Sequence, residues 1–168
     1  MILVTLGTQK FQMDRLVKTI DELALVIEED IFIQLGHSTY IPQNCKYQEF
    51  VDATEFQKMI ESCSILITHS GVGTIMRGIH AKRPVVVVPR LAKYREHVDD
   101  HQVQIACAFE EKGCVLKCEE IEKLQDIIEK ARSYSFNPYD MPERNVEDII
   151  LNFIQKLDGG NQDEKYSD

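Results

Sequence analysis

The 168-residue chain lacks several features that would place it in a particular class of protein. It has no cysteine pair at the CxxC spacing, which argues against a zinc site. No apolar run approaches the roughly 20 residues of a membrane span, and the first residues carry no basic signal-peptide segment. Positive charge is not in excess either, because the net charge is −9. We therefore expect a cytoplasmic protein with free cysteines that does not bind nucleic acid.

What the sequence does contain is a regular alternation of short apolar runs and amphipathic segments. Strands are predicted over 2–6, 31–35, 47–51, 65–68, 85–88 and 114–117. Helices are predicted over 13–28, 54–63, from the 69–74 turn to about 81, and over 99–112 and 119–132. Thr54 is the predicted cap of the second helix. This order predicts an α/β fold, a Rossmann-like parallel sheet with helices on both faces, as one domain over 1–157.

The carboxy-terminal part predicts one more helix and a tail. Apolar residues recur at helical spacing over 145–157, after a linker that contains two prolines. That helix packs either on the chain's own sheet or on a partner protein. Residues 158–168 are polar, and we expect them to be disordered.

The strongest local signal is a glycine-containing turn between a predicted strand and a helix. It reads His69-Ser70-Gly71-Val72-Gly73-Thr74. Glycines allow close approach of a ligand, and free N–H groups at the start of a helix favour an anion. The alternative is a tight turn capped by a threonine. Four residues separate Gly73 from Gly78, not the two of the dinucleotide fingerprint, so an NAD(P)-dependent oxidoreductase is disfavoured.

A second signal follows the valine run at 85–88. Residues 77–101 carry a net charge of +3 in an acidic protein, with Arg90 near the middle. Acidic, histidine and glutamine side chains at 96–102 could bond sugar hydroxyls. The alternatives are a solvated surface for the basic residues and a helix cap for the polar ones.

Taken together, these segments resemble a known family. Residues 69–106 resemble the donor-binding half of the two-domain transferases that add GlcNAc to lipid-linked peptidoglycan precursor. The whole chain to about 157 resembles more closely the stand-alone donor halves of split GT-B enzymes, which have the glycosyltransferase family 28 C-terminal domain. The motifs are Val4-Thr5-Leu6-Gly7-Thr8, Phe11-x-x-x-Arg15-Leu16, Val88-Pro89-Arg90 and Glu96-His97-Val98-x-Asp100-His101-Gln102.

The resemblance implies a hexosyltransferase that inverts the anomeric centre and acts with a membrane-associated subunit. This chain would hold a UDP-sugar without a metal or other cofactor, and the partner would bind a lipid-linked saccharide and supply the general base. The pathway would be capsular or exopolysaccharide synthesis. The implied donor-binding residues are Gly7, Thr8, Phe50, Val51, His69, Ser70, Gly71, Val72, Gly73, Thr74, Arg77, Arg90, His101 and Gln102.

Within this set, the resemblance assigns each part of the UDP-sugar to a different loop. Gly7 and Thr8 would lie near the diphosphate or the interdomain cleft, and residues 49–51 would hold the uracil, chiefly through backbone groups. Residues 70–74 would cradle the diphosphate, and His101 and Gln102 would contact the sugar.

One position departs from the family pattern. The larger family has an acidic residue for the ribose where this chain has Arg77, so either the ribose is held otherwise or Arg77 serves the diphosphate. Arg77 is also compatible with a different function, in which the chain is a non-catalytic enhancer that stabilises a partner glycosyltransferase.

Overall fold

The computed structural model describes residues 1–139, which contain a six-stranded sheet. Its strands are β1 (Ile2–Thr5), β2 (Ile31–Gln34), β3 (Lys46–Gln48), β4 (Ile65–Thr68), β5 (Val85–Val87) and β6 (Leu116–Lys117). All neighbours are parallel, and their order across the sheet is β3-β2-β1-β4-β5-β6. This is the doubly wound order of a Rossmann-like sheet, which confirms the predicted fold class.

Helices connect the strands and cover both faces of the sheet. They are α1 (Asp14–Leu23), α2 (Ala53–Ser62), α3 (Val72–His80), α4 (His101–Glu111) and α5 (Leu124–Ser133). Successive residues of a strand face opposite sides, so Ile2 and Val4 pack with α1 and α5, whereas Leu3 packs with α2, α3 and α4. Because both faces are covered, β1 and β4 are apolar up to the threonine at their carboxyl ends.

Several predicted boundaries are wrong. The helical pattern at 13–28 ends at Leu23, where the chain turns to enter β2 and leaves Leu25 and Val26 exposed. The strand expected over 47–51 is the short edge strand β3. The helix expected over 119–132 begins as a 3₁₀ turn, Ile121–Lys123, before α5. These errors occur at chain reversals, where tertiary geometry outweighs periodicity.

Asp52, and not Thr54, caps α2. The Asp52 carboxylate accepts the backbone N–H groups of Thr54 and Glu55 at 2.8 and 3.4 Å. Thr54 lies inside the first turn, so its hydroxyl is not in the capping position. Hydrogen bonds from these N–H groups lower the pKa of Asp52.

We expect Asp52→Ala to lower the melting temperature by about 2–4 °C, because it leaves two helix N–H groups without a protein acceptor. Thr54→Ala, two residues further along, is the matched control and should change the melting temperature by less than about 1 °C. Thermal unfolding followed by circular dichroism measures both. Equal losses in the two variants would contradict the assignment of the cap.

The predictions for 145–157 and 158–168 lie outside the described residues. All five cysteines lie within residues 1–139 and are free. In that same part of the chain, none of the helices has both the length and the apolar character needed to cross a membrane.

Candidate functional site

The strand order creates a crevice between the loops that follow β1 and β4. These two strands are neighbours, but the chain leaves β1 toward β2 on one side and leaves β4 toward β5 on the other. In open parallel sheets, ligands bind where the connections diverge in this way. The glycine turn at 69–71 and the loop at 7–12 flank this point, so tertiary structure brings together two of the loops singled out from the sequence.

His69 lies under this crevice, packed between two glycines. A Cβ atom on Gly7 would come within 2.4 Å of His69 Nε2, and one on Gly71 within 2.4 Å of His69 Cε1. Gly7 also has a φ of +72°, which disfavours any side chain. Both glycines are therefore required by the buried ring beside them.

The environment of His69 keeps its ring neutral. Burial and the nearby Arg90 charge lower the pKa of His69 from 6.5 to about 4. The ring is only 6% exposed, and its Nδ1 atom has no hydrogen-bond partner among the described residues. His69 thus supports the turn from below, whereas the resemblance implied that it contacts the donor.

The amino terminus of α3 is the open part of the site. Gly71 precedes the helix with extended backbone and supplies no side-chain cap. Thr74 donates its N–H to the Gly71 carbonyl at 3.0 Å, so the N–H groups of Val72 and Gly73 are the ones without an intrahelical acceptor. A Cβ on Gly73 would meet nothing within 4 Å, in contrast to Gly7 and Gly71. A ligand can therefore approach the backbone at Gly73, and Val72 and Thr74 beside it are partly exposed.

Arg90 has a different place from the one expected. Its side chain is 1% exposed and lies below the loops. Nη1 donates to the carbonyls of Phe11, Gln12 and Glu96 at 3.0–3.1 Å, and Nη2 donates to Leu6 at 2.6 Å. A guanidinium committed to four backbone carbonyls is not available to a ligand at the surface. We therefore correct its role: Arg90 holds the loop after β1 against the loop after β5.

Gln102 is a second support between loops. Its Oε1 atom accepts the backbone N–H groups of Ser70 and Arg90 at 3.3 and 3.1 Å, and the residue is only 3% exposed. This oxygen joins the turn after β4 to the loop after β5, and the expected contact of Gln102 with the sugar stays a prediction. Ser70 is also buried, at 1% exposure, so its backbone belongs to the scaffold of the turn.

A buried ion pair that was not predicted from the sequence also supports these loops. Glu96 is fully buried and binds Arg15 at 2.9 Å, and it accepts the N–H of Leu91 at 3.1 Å. The Arg15 guanidinium also lies 5.0 Å from the ring centre of Tyr94. Of the charged residues in 89–98, Arg90 and Glu96 are internal, whereas Lys93 and Arg95 are exposed. In the sequence, the one indication of the Arg15–Glu96 ion pair is that both residues belong to the family motifs.

The remaining predicted residues lie around the open helix terminus. Thr8 is exposed at the crevice. Arg77 is exposed on α3, one turn after Gly73, and makes no hydrogen bond or ion pair within residues 1–139. Phe50 is 42% exposed and packs edge-on against His37 at 5.4 Å. Val51 packs on the sheet face that α3 covers.

His101 lies in a small polar cluster at the start of α4. Its Nδ1 atom contacts the carboxylate of Asp99, and His97 Nδ1 lies 3.3 Å from the same carboxylate oxygen. The hydrogen bond from His101 lowers the pKa of Asp99, which keeps it ionised. One ligand atom from each of these residues lies within 4.8 Å of the others, so they form a group able to hold a metal ion.

Buried polar atoms without partners are concentrated at this edge of the sheet. Within residues 1–139 they are Thr68 Oγ1, His69 Nδ1, Ser70 Oγ, Arg90 Nε and His97 Nδ1. Buried polar groups are normally hydrogen-bonded, and exceptions need an explanation such as a functional role. A cavity of about 560 Å³ at the opposite edge, lined in part by Arg83, Cys114 and Tyr139, contains none of these atoms.

Comparisons with known proteins agree with this geometry. The model of the glycosyltransferase family 28 C-terminal domain matches residues 1–157. No curated protein matches the chain.

Among solved structures, the chain is similar to the kitacinnamycin glycotransferase, with a TM-score of 0.59 and 20% identity over 79% of this chain and 34% of that one. For ALG13 the TM-score is 0.59 and the identity 18%, over 89% of this chain and 93% of that one. For MurG from Acinetobacter baumannii the TM-score is 0.55 and the identity 20%, over 92% of this chain and 49% of that one. The chain thus spans about a third of the kitacinnamycin glycotransferase, about half of MurG and most of ALG13. At these sequence identities the similarity shows the fold alone.

Proposed function

Because the chain belongs to the glycosyltransferase family 28 C-terminal domain family, we propose that it binds the nucleotide-sugar donor of a glycosyltransferase at the amino terminus of α3. The observation that carries this proposal is the open backbone at Gly73, beside the crevice between the loops after β1 and β4. A helix amino terminus offers free N–H groups and a partial positive charge, which together suit a diphosphate. The donor is a UDP-sugar.

The charge that complements the diphosphate comes from Arg77 in this proposal. Arg90 is committed to backbone carbonyls, whereas Arg77 is exposed and lies four residues after Gly73, on the same side of the helix. The presence of Arg77 in place of the family's acidic residue then has a use. Phe50 and Val51 hold the uracil, Gly7 and Thr8 lie beside the diphosphate, and His101 lies on the sugar side.

The reaction is an inverting hexosyl transfer that needs a second component. The amino terminus of α3 stabilises negative charge as UDP departs. A general base must also accept the proton of the acceptor hydroxyl. His69 is buried and packed against Gly7 and Gly71, so we assign that base to a membrane-associated partner that binds a lipid-linked saccharide.

The partner recruits this chain to the cytoplasmic face of the membrane for capsular or exopolysaccharide synthesis, and no metal takes part in donor binding.

A second candidate is a non-catalytic enhancer that stabilises a partner glycosyltransferase. The observation that favours it is Arg77, where the family has the acidic residue that bonds the ribose. In that case the α3 terminus carries no nucleotide.

Calorimetric titration of the purified chain with UDP, UDP-GlcNAc, UDP-galactose and NAD tests the proposal. We expect saturable binding of the uridine nucleotides and none of NAD. Gly73→Ala should weaken UDP binding at least about tenfold, because its Cβ occupies the approach to the helix N–H groups. The same change should not lower the melting temperature, since alanine is favoured over glycine in a helix.

His80→Ala, an exposed alanine substitution at the other end of α3, is the matched control and should bind UDP like the parent chain. UDP binding that survives Gly73→Ala unchanged would move the site away from the helix terminus. No binding of any nucleotide at about 1 mM would favour the enhancer.

A further inference from the structure

The segment between β5 and α4 brings two histidines and an aspartate together outside the helix terminus. His97 and Asp99 belong to the loop, and His101 is the first residue of α4. We propose that His97, Asp99 and His101 form a binding site for a divalent transition-metal ion, with Zn²⁺ as the ion that suits it best. This goes beyond donor binding, which does not require the ion.

The distances between the ligand atoms are close to those of a metal site. Zinc lies about 2.0–2.2 Å from nitrogen and oxygen ligands, so neighbouring ligand atoms are roughly 3.3 Å apart. His97 Nδ1 and Asp99 Oδ1 are 3.3 Å apart. His101 Nδ1 contacts the same oxygen, and one ligand atom from each of the three residues lies within 4.8 Å of the others. A small rotation of His101 about its side chain would seat three ligands on one ion.

His97 supplies an independent observation. Its side chain is only 8% exposed, yet its Nδ1 atom has no hydrogen-bond partner within residues 1–139. The ring lies 5.2 Å from that of Phe11 and 4.6 Å from that of His101, and its Nδ1 is 3.3 Å from Asp99 Oδ1 without hydrogen-bond geometry. A buried nitrogen without a partner is costly, and a metal ion at this point would satisfy it.

A capping role for Asp99 explains only part of this arrangement. Its carboxylate accepts the backbone N–H of His101 at 3.1 Å, as a residue at the start of a helix does. That hydrogen bond does not require a histidine on either side of the carboxylate. Two imidazoles with one carboxylate are instead a common ligand set for zinc and for other transition metals.

The ligand set also limits which ions fit and leaves room for a further ligand. Mg²⁺ and Ca²⁺ prefer oxygen ligands, whereas imidazole suits Zn²⁺, Ni²⁺ and Cu²⁺. Asp99 and His101 are 58% and 38% exposed, so the side facing solvent is open to water or another ligand. The absence of paired cysteines does not bear on this site, because none of its ligands is a cysteine.

The test is a calorimetric titration of the full chain with ZnCl₂ at about pH 7.5, without nucleotide. We expect one ion per chain, with a dissociation constant in the micromolar range or below. Binding should weaken at least about tenfold in His101→Ala and in Asp99→Asn, both exposed positions, and should stay unchanged in His80→Ala.

The spectrum of the Co²⁺ complex separates this site from the five free thiols. Ligation by nitrogen and oxygen gives no thiolate-to-cobalt charge-transfer band, which is the expected result. Absence of saturable zinc binding, equal affinity in His101→Ala, or a thiolate band would each overturn the proposal. Because no nucleotide is present, failure here leaves the proposed donor site untouched, and failure of UDP binding leaves the metal site untouched.

Discussion

Arg90→Ala is expected to lower the free energy of unfolding by about 3–5 kcal/mol, a large share of the total for a domain of this size. The change removes a buried guanidinium that serves four backbone carbonyls in the loops after β1 and β5. The bonds to Glu96 and Leu6 are buried, so water cannot easily replace the lost donor there, and each unsatisfied buried group carries its own cost. Urea denaturation measures the loss.

Arg90→Lys distinguishes the geometry of the guanidinium from its charge. A single ammonium cannot reach carbonyls on two sides, so lysine should recover less than about half of the lost stability. Arg77→Ala removes an exposed arginine and should cost less than about 0.5 kcal/mol. If Arg90→Ala were as stable as Arg77→Ala, the assignment of Arg90 to the scaffold would be wrong. Loss of UDP binding in an unfolded Arg90→Ala would say nothing about ligand contact.

His69 makes the stability of the fold depend on pH. Its pKa is about 4 in the folded chain, because of burial and the nearby Arg90, against an ordinary value of 6.5. Between these values the unfolded chain binds more protons than the folded one, so stability falls on acidification. The contribution is complete above pH 6.5 and is lost as the pH falls to about 4, by up to about 3 kcal/mol.

The variant His69→Gln isolates this effect because glutamine does not titrate. Urea denaturation across this range should give a steeper fall in stability for the parent chain than for the variant. Carboxylates with lowered pKa values, such as Asp21, contribute at lower pH and equally in both proteins. Parallel profiles would mean that His69 is as accessible to protons in the folded chain as in the unfolded one.

Both predictions concern residues that were first considered as ligand contacts. The ring of His69 and the side chains of Arg90 and Gln102 form a buried layer beneath the crevice, with Gly7 and Gly71 packed on the ring. Above that layer, Gly73 and Arg77 are exposed and available to a ligand. A catalytic or binding site gains from such a rigid support, because preorganised groups need no rearrangement when the ligand arrives.

The sequence by itself determined the architecture of this protein. Apolar runs alternating with amphipathic segments require a parallel sheet covered on both faces, and the strand–glycine–helix unit at 65–80 follows from local rules about glycine and helix termini. These features depend on residues close together in the chain. The quoted motifs were also enough for the family resemblance, and the family model matches residues 1–157.

Tertiary structure alone decided which polar residues face a ligand and which support the loops. The bonds of Arg90 to Leu6 and Phe11 join residues about 80 positions apart, and Arg15 meets Glu96 across a similar separation. Such pairings depend on the strand order, which places β1 between β2 and β4. Composition and periodicity assign charged residues to the surface because burial of an unpaired charge is unfavourable. They do not show that a distant segment supplies the partner that makes burial possible.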